Sequence, residues 1–101
     1  MTPTLKPYPI ENATVPFFTY TQEGIEYIEF DTSTCVPPEP MVNAMIALEK
    51  LTSPHVKVVM INHRSPVGLL AKIQSFYDIE VSELEHGKLK LVFSYKRKKR
   101  Q

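Results

Sequence analysis

The sequence predicts an α+β fold, a two-layer α/β sandwich with two helices on one face of a mixed four-stranded sheet. Segments with strand-like alternation are separated by two segments with helical spacing, which gives the order βαβαββ. Each strand–helix–strand crossover should be right-handed, so both helices are expected on the same face. The 101 residues, 43% of them hydrophobic, are enough for one folded domain.

Residues 1–23 are predicted to form an N-terminal arm that precedes a domain over residues 24–95. Four prolines and no periodicity mark residues 1–16, which indicates an extended arm, either laid on the surface or frayed. Residues 15–21 have the pattern of a strand that forms a hairpin with Ile25–Asp31, because Gly24 between them tolerates a positive φ. The arm can therefore add an extra N-terminal strand.

The first helix is predicted to begin at Pro38 or Pro40 and to end at Leu51. Asn43 lies away from its apolar stripe. The predicted stripe consists of Met41, Ala44, Met45, Leu48 and Leu51. The next segment, His55–Asn62, is apolar on both faces, which is typical of a central strand.

The second helix is predicted to have Ser65 as its N-cap and Pro66 in its first turn. Its predicted apolar face consists of Leu69, Leu70, Ile73, Phe76 and Tyr77. Two further strands, residues 79–85 and 88–95, form a predicted hairpin around His86-Gly87.

The charge distribution is uneven. The net charge is +1, but residues 96–100 hold five of the twelve basic side chains, which leaves seven basic against eleven acidic residues elsewhere. The residues before the tail therefore lack the excess of positive charge that is typical of a nucleic-acid-binding domain. The tail Lys96–Arg100 suggests at most weak contact with nucleic acid or an acidic membrane. One cysteine closes no internal disulfide, so a cytoplasmic location is expected.

A candidate site is predicted where the strands end and the helices begin, because ligands of parallel sheets collect beyond the carboxyl ends of the strands. His86 joins this rim if the third strand also runs parallel. A thiol, two imidazoles and a guanidinium would then lie above two helix N-termini, which favours an anionic group. The candidate residues are Thr34, Cys35, Asn62, His63, Arg64, Ser65 and His86.

Simpler interpretations remain open for these residues. Cys35 can be a small, partly buried apolar side chain, and His63 and Arg64 can simply end a strand in solvent. No short ligand spacing such as C-x-x-C supports a metal site. With three glycines in the chain, a phosphate-binding loop is not expected either, so no metal and no cofactor are predicted.

The segment from Asp31 to Met41 resembles the TusA/SirA-like domains, in which a strand is followed by a Pro-x-Pro helix start, here Pro38-Glu39-Pro40. Residues 62–66 are similar to an Asp-His-Asp-Pro type of turn in a related, functionally uncharacterised branch. The resemblance covers about residues 25–95 and implies a strand-helix-strand-helix-strand-strand fold. Sulfur carriers of this family hold a persulfide on the cysteine of a Cys-Pro-x-Pro motif.

The sequence departs from the family motif at the position of the carrier cysteine, which is occupied by Pro37. Cys35 precedes that position by two residues, which is about 6.6–7 Å in an extended segment. We therefore expect a branch without the standard cysteine, and a non-catalytic binding or adaptor module that docks a protein partner or a small anionic ligand at the rim. The alternative is a sulfur-transfer accessory protein with a persulfide on Cys35. A third interpretation is binding of nucleic acid or membrane through the basic tail.

Overall fold

The computed structural model describes residues 4–96 as one mixed sheet with two helices. Within these residues, no helix is long and apolar enough to cross a membrane. The predicted basic tail lies, apart from Lys96, outside the described residues. A single 3₁₀ turn, Glu85–Gly87, separates the last two strands. The strands and helices are β1 (Lys6–Pro7), β2 (Phe17–Gln22), β3 (Ile25–Asp31), α1 (Glu39–Leu48), β4 (Val56–Asn62), α2 (Val67–Ile73), β5 (Tyr77–Glu83) and β6 (Leu89–Tyr95).

The sheet has six strands in the order β1-β2-β3-β4-β6-β5, so the predicted number of four is wrong, although the α+β class is confirmed. Both additional strands come from the N-terminal arm. β2 forms the predicted hairpin with β3, since Glu23 and Gly24 turn the chain with φ values of 52° and 80°. β1 then pairs with the outer edge of β2. β3 and β4 are parallel, whereas every other neighbouring pair is antiparallel.

The hydrophobic core lies on one face of the sheet. Ile28, Val58 and Phe93 are paired in register across β3, β4 and β6, and all three are buried. Ala44 of α1 and Leu69 of α2 belong to the same buried cluster. Both helices therefore pack on the same face, as right-handed crossovers require.

The face of α1 that packs on the sheet differs from the predicted apolar stripe. Asn43, which was expected away from the core, is fully buried, whereas Met41 and Met45 are 36% and 42% exposed. The Asn43 amide accepts a hydrogen bond from the Thr14 backbone N–H (2.9 Å) and donates to Thr14 Oγ1 and the Glu39 carbonyl (2.8 Å each). These bonds satisfy the amide, so its burial costs little, and they fix the N-terminal arm against α1.

Helix α2 is shorter than predicted. Pro66 rather than Ser65 occupies the N-cap position, and no side chain caps the helix. The helix ends at Ile73, so Tyr77 begins β5 and Phe76 between them is 65% exposed. The apolar residues spaced between positions 69 and 77 thus belong to a helix, a turn and a strand, which helical periodicity alone does not separate.

Candidate functional site

An open groove of about 420 Å³ lies at the edge of the sheet where β3 and β4 end. One wall is the proline-rich start of α1. The other wall is the loop after β4 together with the first turn of α2. The lining residues are Pro37, Pro38, Pro40, Met41, Asn62, His63, Arg64, Ser65, Pro66, Val67, Gly68 and Leu69.

A buried polar pair supports the groove, and one member of the pair, Asn62, lines it. Thr32, directly after β3, and Asn62, at the end of β4, are almost completely inaccessible to solvent. The Thr32 hydroxyl donates to Asn62 Oδ1 at 3.0 Å, and Asn62 Nδ2 donates to the Arg64 carbonyl at 2.9 Å. The Thr32 N–H also donates to the Ile61 carbonyl at 2.8 Å. These bonds join the ends of two strands and hold the loop that carries His63 and Arg64.

The upper part of the groove is apolar. A Cβ atom placed on Gly68 would lie 3.6 Å from Met41 Cε, so the methionine side chain reaches from α1 to the first turn of α2. Val67 is 72% exposed at the rim, and Val36 is 68% exposed just before Pro37. Methionine adapts its shape readily to an apolar partner, and exposed apolar residues around a concave surface mark interaction sites.

The cationic part of the groove is Arg64, which is exposed beside His63. Arg64 Nε donates to His63 Nε2 at 3.3 Å, which uses one of the five guanidinium donors. Backbone donors are scarce at the start of α1. Pro40 has no N–H, and the N–H of Glu39 donates to the Val36 carbonyl at 3.0 Å. A negatively charged group in this groove would therefore depend on Arg64 more than on the N-terminus of α1.

Cys35 and Thr34 precede the groove and do not line it. Cys35 is half-buried, and its N–H donates to the Thr32 carbonyl at 3.0 Å. Partial burial raises the pKa of the Cys35 thiol, and the negative charges of Glu39 and Asp31 raise it further. The thiolate, which is the reactive form, is therefore disfavoured at neutral pH.

His86 lies at the same end of the sheet but outside the groove. β5 runs parallel to β4, because both are antiparallel to β6. β6 lies between them, however, and His86 is exposed in the turn after β5 with a φ of 64°. The structure thus brings together Asn62, His63, Arg64 and Ser65 of the seven predicted residues.

Sequence reasoning missed the apolar residues of the groove, above all Met41 and Val67. Met41 was assigned to the core because it fits the stripe of α1, and no motif distinguishes an exposed apolar side chain from a buried one. In the sequence, only the Pro38-Glu39-Pro40 helix start indicated that the beginning of α1 could form an apolar wall of the groove.

In residues 4–96, no group of three or more His, Cys, Asp or Glu side chains is placed to hold a metal ion. Comparison of the chain with protein-family models, curated proteins and solved structures gives no match. The resemblance to TusA-like domains therefore stays a prediction.

Proposed function

We propose that this domain is a non-catalytic binding module that docks a protein partner in the groove between α1 and α2. The observation that carries the proposal is the open, largely apolar groove with Met41 and Val67 at its rim and one arginine beside it. Complete burial of a fully exposed valine or methionine side chain is worth about 1.5–3 kcal/mol. Since Met41 is 36% exposed and Val67 is 72% exposed, covering them contributes about 0.5–1 kcal/mol and about 1–2 kcal/mol respectively.

The composition of the groove favours a polypeptide over a small anion. Prolines replace backbone donors at the start of α1, and the acidic side chain of Glu39 lies in its first turn. A peptide segment can bury apolar side chains against Met41 and Val67 while it places a carboxylate beside Arg64. The expected ligand is therefore an apolar segment of a protein with an acidic residue next to it.

The alternative, a persulfide carried by Cys35, receives less support from the site. A carrier thiol reacts as a thiolate, and the surroundings of Cys35 raise its pKa. Its position before the groove also separates it from the surface that would receive a partner. A cytoplasmic location and the membership of a TusA-like branch remain predictions beside this proposal.

Selection of a phage-displayed random peptide library on the immobilised domain tests the proposed function. Fluorescence anisotropy then measures the affinity of a labelled selected peptide for variant proteins. We expect Val67→Asp to weaken binding roughly tenfold or more, because it places a charge against the apolar part of the peptide. Arg64→Ala should also weaken binding, whereas Cys35→Ser should not. Peptides that bind independently of Val67, or equal losses from Arg64→Ala and Cys35→Ser, would contradict the proposal.

A further inference from the structure

The two edges of the sheet differ. At one end, the edge strand β1 consists of two residues, one of them Pro7, and pairs with Thr19 and Phe18 of β2. At the other end, β5 pairs along all seven of its residues with β6, and no described residue pairs with its outer edge. An uncovered strand of this length presents a row of unpaired N–H and C=O groups to which a further strand can bind.

The hydrogen bonds near the end of β5 identify these groups. The Leu84 N–H donates to the Lys88 carbonyl at 2.8 Å, in the same register as the pairs of β5 with β6. Because backbone groups alternate in direction along an antiparallel strand, the even-numbered residues of β5 bond to β6. The N–H and C=O groups of Ile79, Val81 and Glu83 therefore point away from the sheet.

The side chains of β5 form two rows with different chemistry. Asp78, Glu80 and Ser82 are exposed on the face without helices. On the other face, Ile79 is half-buried and Val81 is 49% exposed. An added strand would have its side chains beside these rows, so the edge fits a segment in which basic residues alternate with apolar ones.

A second copy of β5 does not fit this description. Pairing of two such edges would bring a second set of carboxylates next to Asp78 and Glu80, and like charges on adjacent strands are destabilising. The carboxylates thus oppose self-association through this edge while they attract a basic segment.

We propose that the outer edge of β5 binds an extended segment of a protein partner as an added antiparallel strand, with basic residues alternating with apolar ones. This surface is separate from the groove. Main-chain hydrogen bonds to Ile79, Val81 and Glu83 provide affinity, and the acidic row selects the partner, as in other cases of strand addition.

The test uses a fluorescein-labelled, end-capped peptide KVKVKVK with the full-length protein at low salt. In an antiparallel added strand, valines beside Ile79 and Val81 direct their N–H groups towards β5, and lysines direct theirs towards solvent. We therefore expect saturable binding that is lost when the valine nitrogens are methylated and kept when the lysine nitrogens are methylated. No binding up to millimolar peptide, or the same response to both methylation patterns, would overturn the proposal.

Protein variants locate the site. Val81→Pro removes an outward N–H and leaves the bonds to β6, so binding should be lost while the circular dichroism spectrum is kept. If that variant does not fold, Glu80→Lys provides the test, because it turns an attractive cross-strand pair into a repulsive one and should weaken binding roughly tenfold. Glu49→Lys makes the same charge change at the exposed C-cap of α1 and should have no such effect. Equal weakening by both lysine variants would show charge attraction alone and would contradict strand addition.

Discussion

The hydrogen bonds of Asn43 join the N-terminal arm to α1, and Asn43→Ala should therefore destabilise the protein strongly. The variant loses three bonds of 2.8–2.9 Å from a fully buried amide. A hydrogen bond contributes about 0.5–1.5 kcal/mol net, so we expect a loss of about 2–4 kcal/mol in the free energy of unfolding. This is a large part of the roughly 5–15 kcal/mol that stabilises a typical domain.

Urea unfolding followed by circular dichroism measures this loss. A double-mutant cycle with Thr14→Ala isolates the side-chain contact. The two substitutions should be non-additive by about 0.5–1.5 kcal/mol, since both remove the bond from Asn43 Nδ2 to Thr14 Oγ1, whereas Thr14→Ala keeps the backbone N–H that donates to Asn43 Oδ1. Amide exchange gives a local measurement, because the Thr14 N–H should lose its protection in Asn43→Ala. A loss below 1 kcal/mol, or full additivity of the two substitutions, would refute the idea that Asn43 holds the arm.

Three further outcomes are expected. Asn62→Ala should cost about 1–3 kcal/mol in urea unfolding, because it removes the bonds that Asn62 makes with the Thr32 hydroxyl and the Arg64 carbonyl, while the hydroxyl keeps the Ile61 carbonyl at 3.2 Å as its acceptor; an unchanged midpoint would contradict this. Cys35 should react with iodoacetamide more slowly at pH 8 than an unstructured cysteine peptide, since a raised pKa lowers the thiolate fraction; a rate profile with a lower midpoint than that of the peptide would argue for an activated thiol. Phe30→Ala should cost about 3–5 kcal/mol, because Phe30 is fully buried and stacks on Phe17; a loss under 1 kcal/mol would contradict the described core.

The central part of the fold could be predicted because its signals are local. The segment Ile25–Asp31 alternates, and the apolar run before Asn62 is long enough for a central strand, so the parallel pair β3 and β4 followed from the helix between them. The orientation of α1 could not be predicted in this way. Asn43 is buried because Thr14, 29 residues earlier, satisfies its amide, and no local pattern records such a distant partner.

The position of the candidate site was predictable, but its chemistry was only partly so. The segment from Asn62 to Ser65 follows a parallel strand, and its place at the carboxyl edge is a consequence of topology. Cys35 drew attention as a reactive residue type, yet its thiol lies outside the groove. Beside four prolines and Leu69, the groove owes its apolar character to Met41 and Val67, whose exposure depends on how the two helices pack.

Methionine methyl signals provide the most direct test of docking in the groove. In a ¹³C-methyl-methionine spectrum, Met41 reports on the groove, Met45 on the exposed side of α1, and the fully buried Met60 on the core. On titration with a selected peptide, we expect the largest shift and intermolecular contacts at Met41, and no shift at Met60. A saturated complex in which the Met41 signal is unchanged would contradict docking in the groove between α1 and α2.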